Sequence, residues 1–274
     1  MDQRKLRELQ IIELEILKEV DRICCKHNIR YWLTGGTLIG AIRHNGFIPW
    51  DDDIDIAMHR ADYNKFINIA PQELSSQFYL QNWKTEPNFA LSFTKIRKNN
   101  TLYMETGLEK ANIHHGIFID IFVYDKYPTN TISLLKTKFA MQIISRLMII
   151  KCGFTPWRTV KGSKIWKKIF YVPFYIMAKF INIQSMRNLY QKYVQIANKT
   201  NSNHVFNSCE INDEKHPLPQ SYLSNFIKHQ FEDTQFYIPV EYDKLLRHFY
   251  GDYMQLPPPE QREGHHNIVE LKLG

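Results

Sequence analysis

Cysteine is scarce in this chain of 274 residues, with four in all. Cys24 and Cys25 are adjacent, which strains any bridge between them, and Cys152 and Cys209 stand alone without the spacing of metal ligands. A disulfide framework is therefore not expected, and reduced thiols of a cytoplasmic protein are. No run of 18 apolar residues occurs, so no membrane-spanning helix is expected. The opening segment MDQRKLRELQIIELEILKEVDRI carries charge throughout, unlike a signal peptide. The remaining absence is of one charge sign. Between Asp125 and Glu210 there is no acidic residue, while the same stretch holds 14 Lys and Arg. That leaves 21 of the 35 basic residues for the remainder, against all 28 acids, so the overall +7 hides an acidic body and a basic insert.

With 44% apolar and 14% aromatic residues the chain can bury a real core, which excludes wholesale disorder. Its organisation reads as a body over 1–125, an aromatic-rich basic insert over 126–209 and a segment over 210–274 that completes the body. Residues 3–26 place apolar side chains at helical spacing. IRYWLTGG reads as a short strand ending on a glycine pair, TLIGAIRH (37–44) as a helix, and NGFIPW as a turn-rich loop. DDIDIAM alternates at period two, like a strand with one wet face. A helix over 61–69 ending at Ala70-Pro71 follows, with strands over 78–83, 89–97, 101–105 and 116–124. A short helix in the tail closes near Gly251, before a proline-rich extended segment. The fold class is α+β (or α/β), a mixed sheet flanked by helices.

The chemistry concentrates in GGTLIGAIRHNGFIPWDDDIDIAM, residues 35–58. Asp51, Asp52, Asp53 and Asp55 repel one another, and no basic residue lies within the cluster. If the strand begins at the aspartates, Asp51, Asp53 and Asp55 share one face, about 7 Å apart, and Asp52 points away into the loop. Carboxylates so arranged suit Mg²⁺, or Mn²⁺, which in turn holds phosphate oxygens. The glycine turn before them, Gly35 and Gly36 with Thr37 at the helix start, offers backbone N–H groups to a phosphate. Asp120, within the apolar strand HHGIFIDIFVYD, needs a cation, a donor or a metal; beside Asp53 and Asp55 it would take a proton from an attacking hydroxyl. Asp125 reads as a turn residue. Arg43, Lys95 and Arg97 are candidate phosphate ligands, with surface ion pairs as the competing reading. Arg262, His265 and His266 either close over the site or are simply exposed, and Trp50 packs under the aspartate loop. Tyr31, Trp32, Trp83 and Tyr103 are available for an aromatic cage around a quaternary ammonium group.

These motifs resemble a known family. A Gly-Gly turn, a short helix, Asp-x-Asp and a later lone Asp resemble the polymerase-beta-like nucleotidyltransferases. LTGGTLIGAIRHNGFIPWDDDIDIAM, GIFIDIFVYDKYP and the tail YGDYMQLPPPEQREGHH are similar to the LicD family, whose relatives include fukutin and the fukutin-related protein. The resemblance covers about residues 10–266 and is weakest across the basic middle. It implies a nucleotidyltransferase-like core and a metal-dependent transfer of alcohol phosphate from a CDP-activated donor, CDP-choline above all, to a sugar hydroxyl of a glycan or lipid-linked glycan, with CMP released. Asp53 and Asp55 then match the metal pair and Asp120 the third catalytic carboxylate; Asp51 shares a cation, and Gly35 and Gly36 line the donor phosphates. Movement of the nucleotidyl group instead, or a scaffold without turnover, are the competing functions.

The insert carries two apolar, Lys- and Arg-dotted segments within 132–183. They read either as core-packing helices with solvated basic residues or as a basic amphipathic surface lying on anionic lipid. Trp157, Trp166, Phe170, Tyr171, Phe174 and Tyr175 fit an interfacial position, and Pro173 would kink the second helix. Such long apolar runs do not suit a wet nucleic-acid face, and no nucleic-acid partner is expected. A cytoplasmic protein, peripheral on the inner face of the cell membrane, is the resulting expectation.

Overall fold

The computed structural model describes residues 1–128, 130–155, 164–209, 217–264 and 266–274. Trp157 and His265 lie outside the described residues.

Helix α1 (Gln3–Lys26) begins where the Asp2 side chain accepts the Lys5 N–H at 2.8 Å, and it buries Leu9, Ile16, Leu17, Val20 and Ile23. A short strand β1 (Trp32–Leu33) leads into α2 (Gly35–His44), which is followed by β2 (Asp55–His59) and α3 (Arg60–Glu73). Helix α2 starts on the glycines themselves, two residues before Thr37. Helix α3 runs past Pro71, because a proline in the last turn removes only one hydrogen bond near an end that frays anyway.

Strands β3 (Phe78–Gln81), β4 (Thr94–Lys98), β5 (Leu102–Glu105) and β6 (Phe118–Lys126) complete the first half. The sheet runs β1-β2-β6-β4-β3, with only the β2–β6 pairing parallel along that path. It is thus a mixed sheet in an α+β fold. Strand β6 reads as a continuous apolar run because it lies at the centre, flanked by β2 on one edge and on the other by β4 and then β7 (His204–Asn207). Asp125 is not a turn residue: it is buried within β6, accepting from Arg60 Nε at 2.8 Å.

After β6 come α4 (Thr131–Lys151), α5 (Lys164–Phe180) and α6 (Ile183–Asn198). They form their own hydrophobic cluster, with Met141, Ile144, Met148, Ala178, Met186 and Tyr190 at its centre. This cluster is tied to the body through the basic residues. The Arg187 guanidinium, buried, donates to the carbonyls of Pro87 and Phe89 at 2.8 and 2.9 Å, and Lys126 donates to Ser202 O at 2.7 Å. No described helix is long and apolar enough to cross a membrane.

A two-residue strand β8 (Leu218–Pro219) pairs β7, and the hairpin β9 (Phe226–Phe231) and β10 (Thr234–Pro239) packs against β1. Helix α7 (Tyr242–Tyr250) ends at Gly251, whose φ of +65° suits a helix C-terminus. The tail is extended as expected, but its last part is a strand, β11 (Ile268–Lys272), paired with β5. That pairing brings the C-terminus beside the aspartate loop.

Candidate active site

Three neighbouring strands place one row of charged side chains. In the sheet register Asp55 on β2 lies beside Asp120 on β6, and Asp120 lies beside Lys95 on β4. Register partners point to the same face, so the row forms from backbone pairing alone. Lys95 Nζ sits 2.8 and 3.0 Å from the two Asp120 carboxylate oxygens, and both side chains are nearly inaccessible. The ammonium also lies 3.3 Å from the centroid of the Phe118 ring. Burial raises the Asp120 carboxyl above the usual carboxylate range, against the pull of Lys95 and His266. The cation that Asp120 requires is Lys95, so Lys95 is a partner of the carboxylate rather than an open phosphate ligand.

The other aspartates are not on a strand. Residues 51–54 are irregular and β2 begins only at Asp55, so alternation along a strand does not place Asp51, Asp53 and Asp55 together. A turn does: Asp51 N donates to Ile48 O at 2.9 Å, and Gln10 of α1 donates its side-chain N–H to Asp51 O at 2.9 Å. The result gathers Asp51, Asp52 and Asp53, with one carboxylate oxygen from each within 4.8 Å of the others. Asp52 therefore belongs to the cluster and does not point away into the loop.

The glycine pair explains how the acids come so close to α2. A Cβ on Gly35, whose φ is +58°, would meet Asp55 Oδ2 at 3.0 Å, and one on Gly36 would meet Asp51 Oδ2 at 2.8 Å. Two adjacent glycines thus seat two carboxylates against the N-terminus of α2, where the helix dipole favours negative charge. Thr37 ties the halves together, its hydroxyl accepting the Asp55 N–H at 2.8 Å.

Burial and mutual repulsion act together on this cluster. Burial, and then the charges of Asp53 and Asp52, push the Asp51 carboxyl up to about 8. Beneath it, Glu13 of α1 is buried and raised well above its ordinary value, by burial first and then by all four aspartates. Among the described residues a positive group enters from the tail. His266 Nδ1 lies 3.4 Å from Asp52 Oδ1 and 3.7 Å from Asp53 Oδ2, and Nε2 lies 3.7 Å from Glu105 Oε1. Burial opposes a charged imidazole there, but Asp52, Asp53 and Glu105 outweigh it and hold the ring at about 9. Gly264 permits this approach, since a Cβ would stand 2.5 Å from Asp52 Oδ2. Tyr103, buried, directs its hydroxyl toward Asp52 O and Oδ2 at 3.3 and 3.4 Å.

An all-carboxylate set of this kind fits a hard divalent cation, because oxygen donors suit Mg²⁺ and Mn²⁺. Among the described residues the His266 ring lies against Asp52 and Asp53, and the Lys95 ammonium against Asp120. An open cavity of about 1040 Å³ adjoins the cluster, bordered by Asp52, His266, Arg262, Trp50 and the start of α1. The Arg262 guanidinium lies 5.5 Å from the Trp50 ring centroid.

Comparison with known proteins agrees with this geometry. Residues 28–147, which hold every carboxylate of the row and the loop, match the family model described as "LicD/FKTN/FKRP, nucleotidyltransferase domain". The chain is 32% identical to the lipopolysaccharide cholinephosphotransferase LicD of Haemophilus influenzae over 97% of each chain. The chain belongs to the LicD family. It is also 53% identical over 48 residues to the human ribitol 5-phosphate transferase FKRP, covering 18% of this chain and 10% of that one. An uncharacterised protein of Rickettsia prowazekii is 43% identical over 118 residues, 42% of this chain and 39% of its own.

Within this LicD-family chain several expected site residues lie elsewhere. Arg97 is fully buried, donating to Gln81 and to Gly116 O, and burial lowers its guanidinium to about 10. Arg43 donates to Tyr253 O at 2.8 Å, anchoring the segment after α7. No aromatic cage forms from the expected residues. Tyr31, Trp32 and Tyr103 are fully buried in the main core, and Trp83 is half-buried against Tyr190 and Arg187. Trp50 is half-buried, packing on the main core as expected and also bordering the cavity.

Glu13, Gln10 and Glu105 were not singled out by sequence reasoning, Asp52 was assigned to the loop, and Tyr103 was considered only for an aromatic cage. Gln10 and Glu13 carried a signal, since both fall on the apolar stripe of α1 between Leu9, Leu14 and Leu17. A carboxyl in that phase must be neutral or paired.

Proposed function

We propose that this protein transfers an alcohol phosphate, in the first instance phosphocholine from CDP-choline, to a hydroxyl of a bacterial surface glycan or its lipid-linked precursor. The observation that carries this reading is the similarity to a lipopolysaccharide cholinephosphotransferase over 97% of both chains. The acidic centre beside a large cavity supports it. Asp51, Asp52 and Asp53, with Asp55 and Asp120, would hold Mg²⁺ or Mn²⁺, which supplies neutralisation of the donor diphosphate and of the charge that builds up on the attacked phosphorus. Gly35 and Gly36 keep two of those carboxylates at the start of α2, and Lys95 fixes the orientation of Asp120. The acceptor oxygen attacks the phosphorus of the alcohol phosphate, the bond from that phosphorus to the CMP oxygen breaks, and the hydroxyl proton passes to the Asp120 carboxylate. A carboxyl raised by burial is the better proton acceptor. Lipid-linked acceptors place this work at the inner face of the membrane.

The test supplies CDP-choline, CDP-glycerol and CDP-ribitol separately with Mg²⁺ and candidate glycans, and measures CMP by chromatography. CMP released from CDP-choline in step with phosphocholine on the glycan is the expected result. Pyrophosphate released from a nucleoside triphosphate, with no CMP from any of the three donors, would replace phosphotransfer by nucleotidyl transfer.

A further inference from the structure

Helix α5 buries little of itself. Of its described side chains only Ala178 is fully buried, with Tyr171 and Phe174 half-buried, a seam at i, i+3 and i+7 that packs on the α4–α6 cluster. The rest of the helix is apolar and wet. Trp166, Ile169, Phe170, Ile176, Met177 and Phe180 are all exposed, Trp166 to 73% and Phe180 to 85%. Their spacing of three and four residues puts them on one helical stripe. Helix α4 adds Ile132, Leu135 and Phe139, again at i, i+3 and i+7 and each more than 60% exposed. A soluble monomer seldom shows so much contiguous apolar surface without a partner.

We propose that this face of α5, with the first half of α4, lies on an anionic lipid bilayer. Charge identifies the occupant. The stretch 126–209 has no acidic residue, and Lys136, Lys168 and Lys179 are exposed on the same two helices. Lys179 lies 4.8 Å from the centroid of the Tyr175 ring, so its stem follows the apolar face while its ammonium reaches water. Apolar side chains with aromatic members and lysines, on a helix that does not span, match an interfacial helix lying in the headgroup plane. The body, where 28 acids outnumber 21 basic residues, would be held off the same surface, so the basic face also sets the orientation. This inference goes beyond the transferase reading and does not depend on it.

The test is vesicle co-sedimentation of the full chain. Neutral phosphatidylcholine vesicles are compared with vesicles containing about 30% phosphatidylglycerol, at about 0.1 M and about 0.5 M salt. Preferential pelleting with the anionic vesicles, weakened by salt, is expected. Phe170→Glu/Ile176→Glu should reduce the bound fraction about tenfold or more, and Lys168→Glu/Lys179→Glu similarly, with unchanged circular dichroism because all four side chains are exposed. CMP release with a water-soluble acceptor should stay at the wild-type rate in both variants, which separates this inference from the catalytic one. Absence of pelleting, equal pelleting on neutral vesicles, or undiminished pelleting of the Phe170→Glu/Ile176→Glu variant would overturn the proposal. So would a stable dimer that this variant converts to monomer, since a second copy of the chain would then cover the face.

Discussion

Asp53→Asn and Asp55→Asn should each reduce phosphocholine transfer about a thousandfold or more, while the protein stays folded. The two aspartates act from different places. Asp53 comes from the loop cluster, and Asp55 from the first residue of β2, beside Asp120. Each substitution removes one negative charge from the set that, on the proposed function, holds the divalent cation against the donor diphosphate. Stability should move the other way, because the substitution relieves repulsion among neighbouring carboxylates. Each 1 kcal/mol of repulsion removed raises the unfolding midpoint by about 2–4 °C for a chain of this size. The measurement is CMP release beside thermal unfolding of the same preparations. Transfer at the normal rate by either variant would contradict the assignment of these carboxylates to the reaction.

The second large effect is on stability. Lys95→Met, measured by urea unfolding with the divalent cations chelated, should cost about 3–5 kcal/mol, because Asp120 is left buried without the ammonium beside it. Lys95→Met/Asp120→Asn should recover most of that loss, since both charges are then gone and the methionine still packs on Phe118. The double variant should remain inactive. That combination, stability restored and activity not, separates the ion pair's structural role from the carboxylate's chemical one. A cost under about 1 kcal/mol for Lys95→Met would show that the pair contributes little and that Asp120 is neutral in the folded protein.

Local pattern made much of the fold legible before the structure. The apolar stripe of α1, the β6 run around Asp120 and the glycine pair preceding the aspartates all state their element in a few residues. The boundaries were less legible where tertiary contacts decide them. Alternation in DDIDIAM suggested a strand from the first aspartates, yet Gln10 of α1 holds Asp51 O and keeps that segment out of the sheet. Asp52 was misplaced for that reason, because a residue outside a strand has no alternating face. The hairpin of β9 and β10 also escaped notice. Its turn uses Glu232, at φ +56°, rather than the Asn-Gly or Asp-Gly pair that marks such turns.

The sequence left open whether His266 closes over the site or is exposed, and its contact with Asp52 and Asp53 decides for the first. His266 reaches Asp52 only because β11 pairs with β5, more than 160 residues away in sequence, and no short pattern encodes that pairing. The lysine beside Asp120 arises in the same way, from the register of β4 on β6. Residue types marked the carboxylates; their partners had to be placed by the sheet. The acids are thus partly compensated by His266 and Lys95, and a divalent cation held by the clustered carboxylates would take a further share.

Titration of Mn²⁺ into the protein, followed by the electron paramagnetic resonance signal of the free ion, tests that share most directly. Wild-type protein should remove Mn²⁺ from solution in a saturable way and more tightly when CDP-choline is present, Mg²⁺ should compete, and Asp53→Asn should weaken uptake about tenfold or more. Equal uptake by the wild type and Asp53→Asn, or none by either with CDP-choline present, would contradict a metal centre at these aspartates.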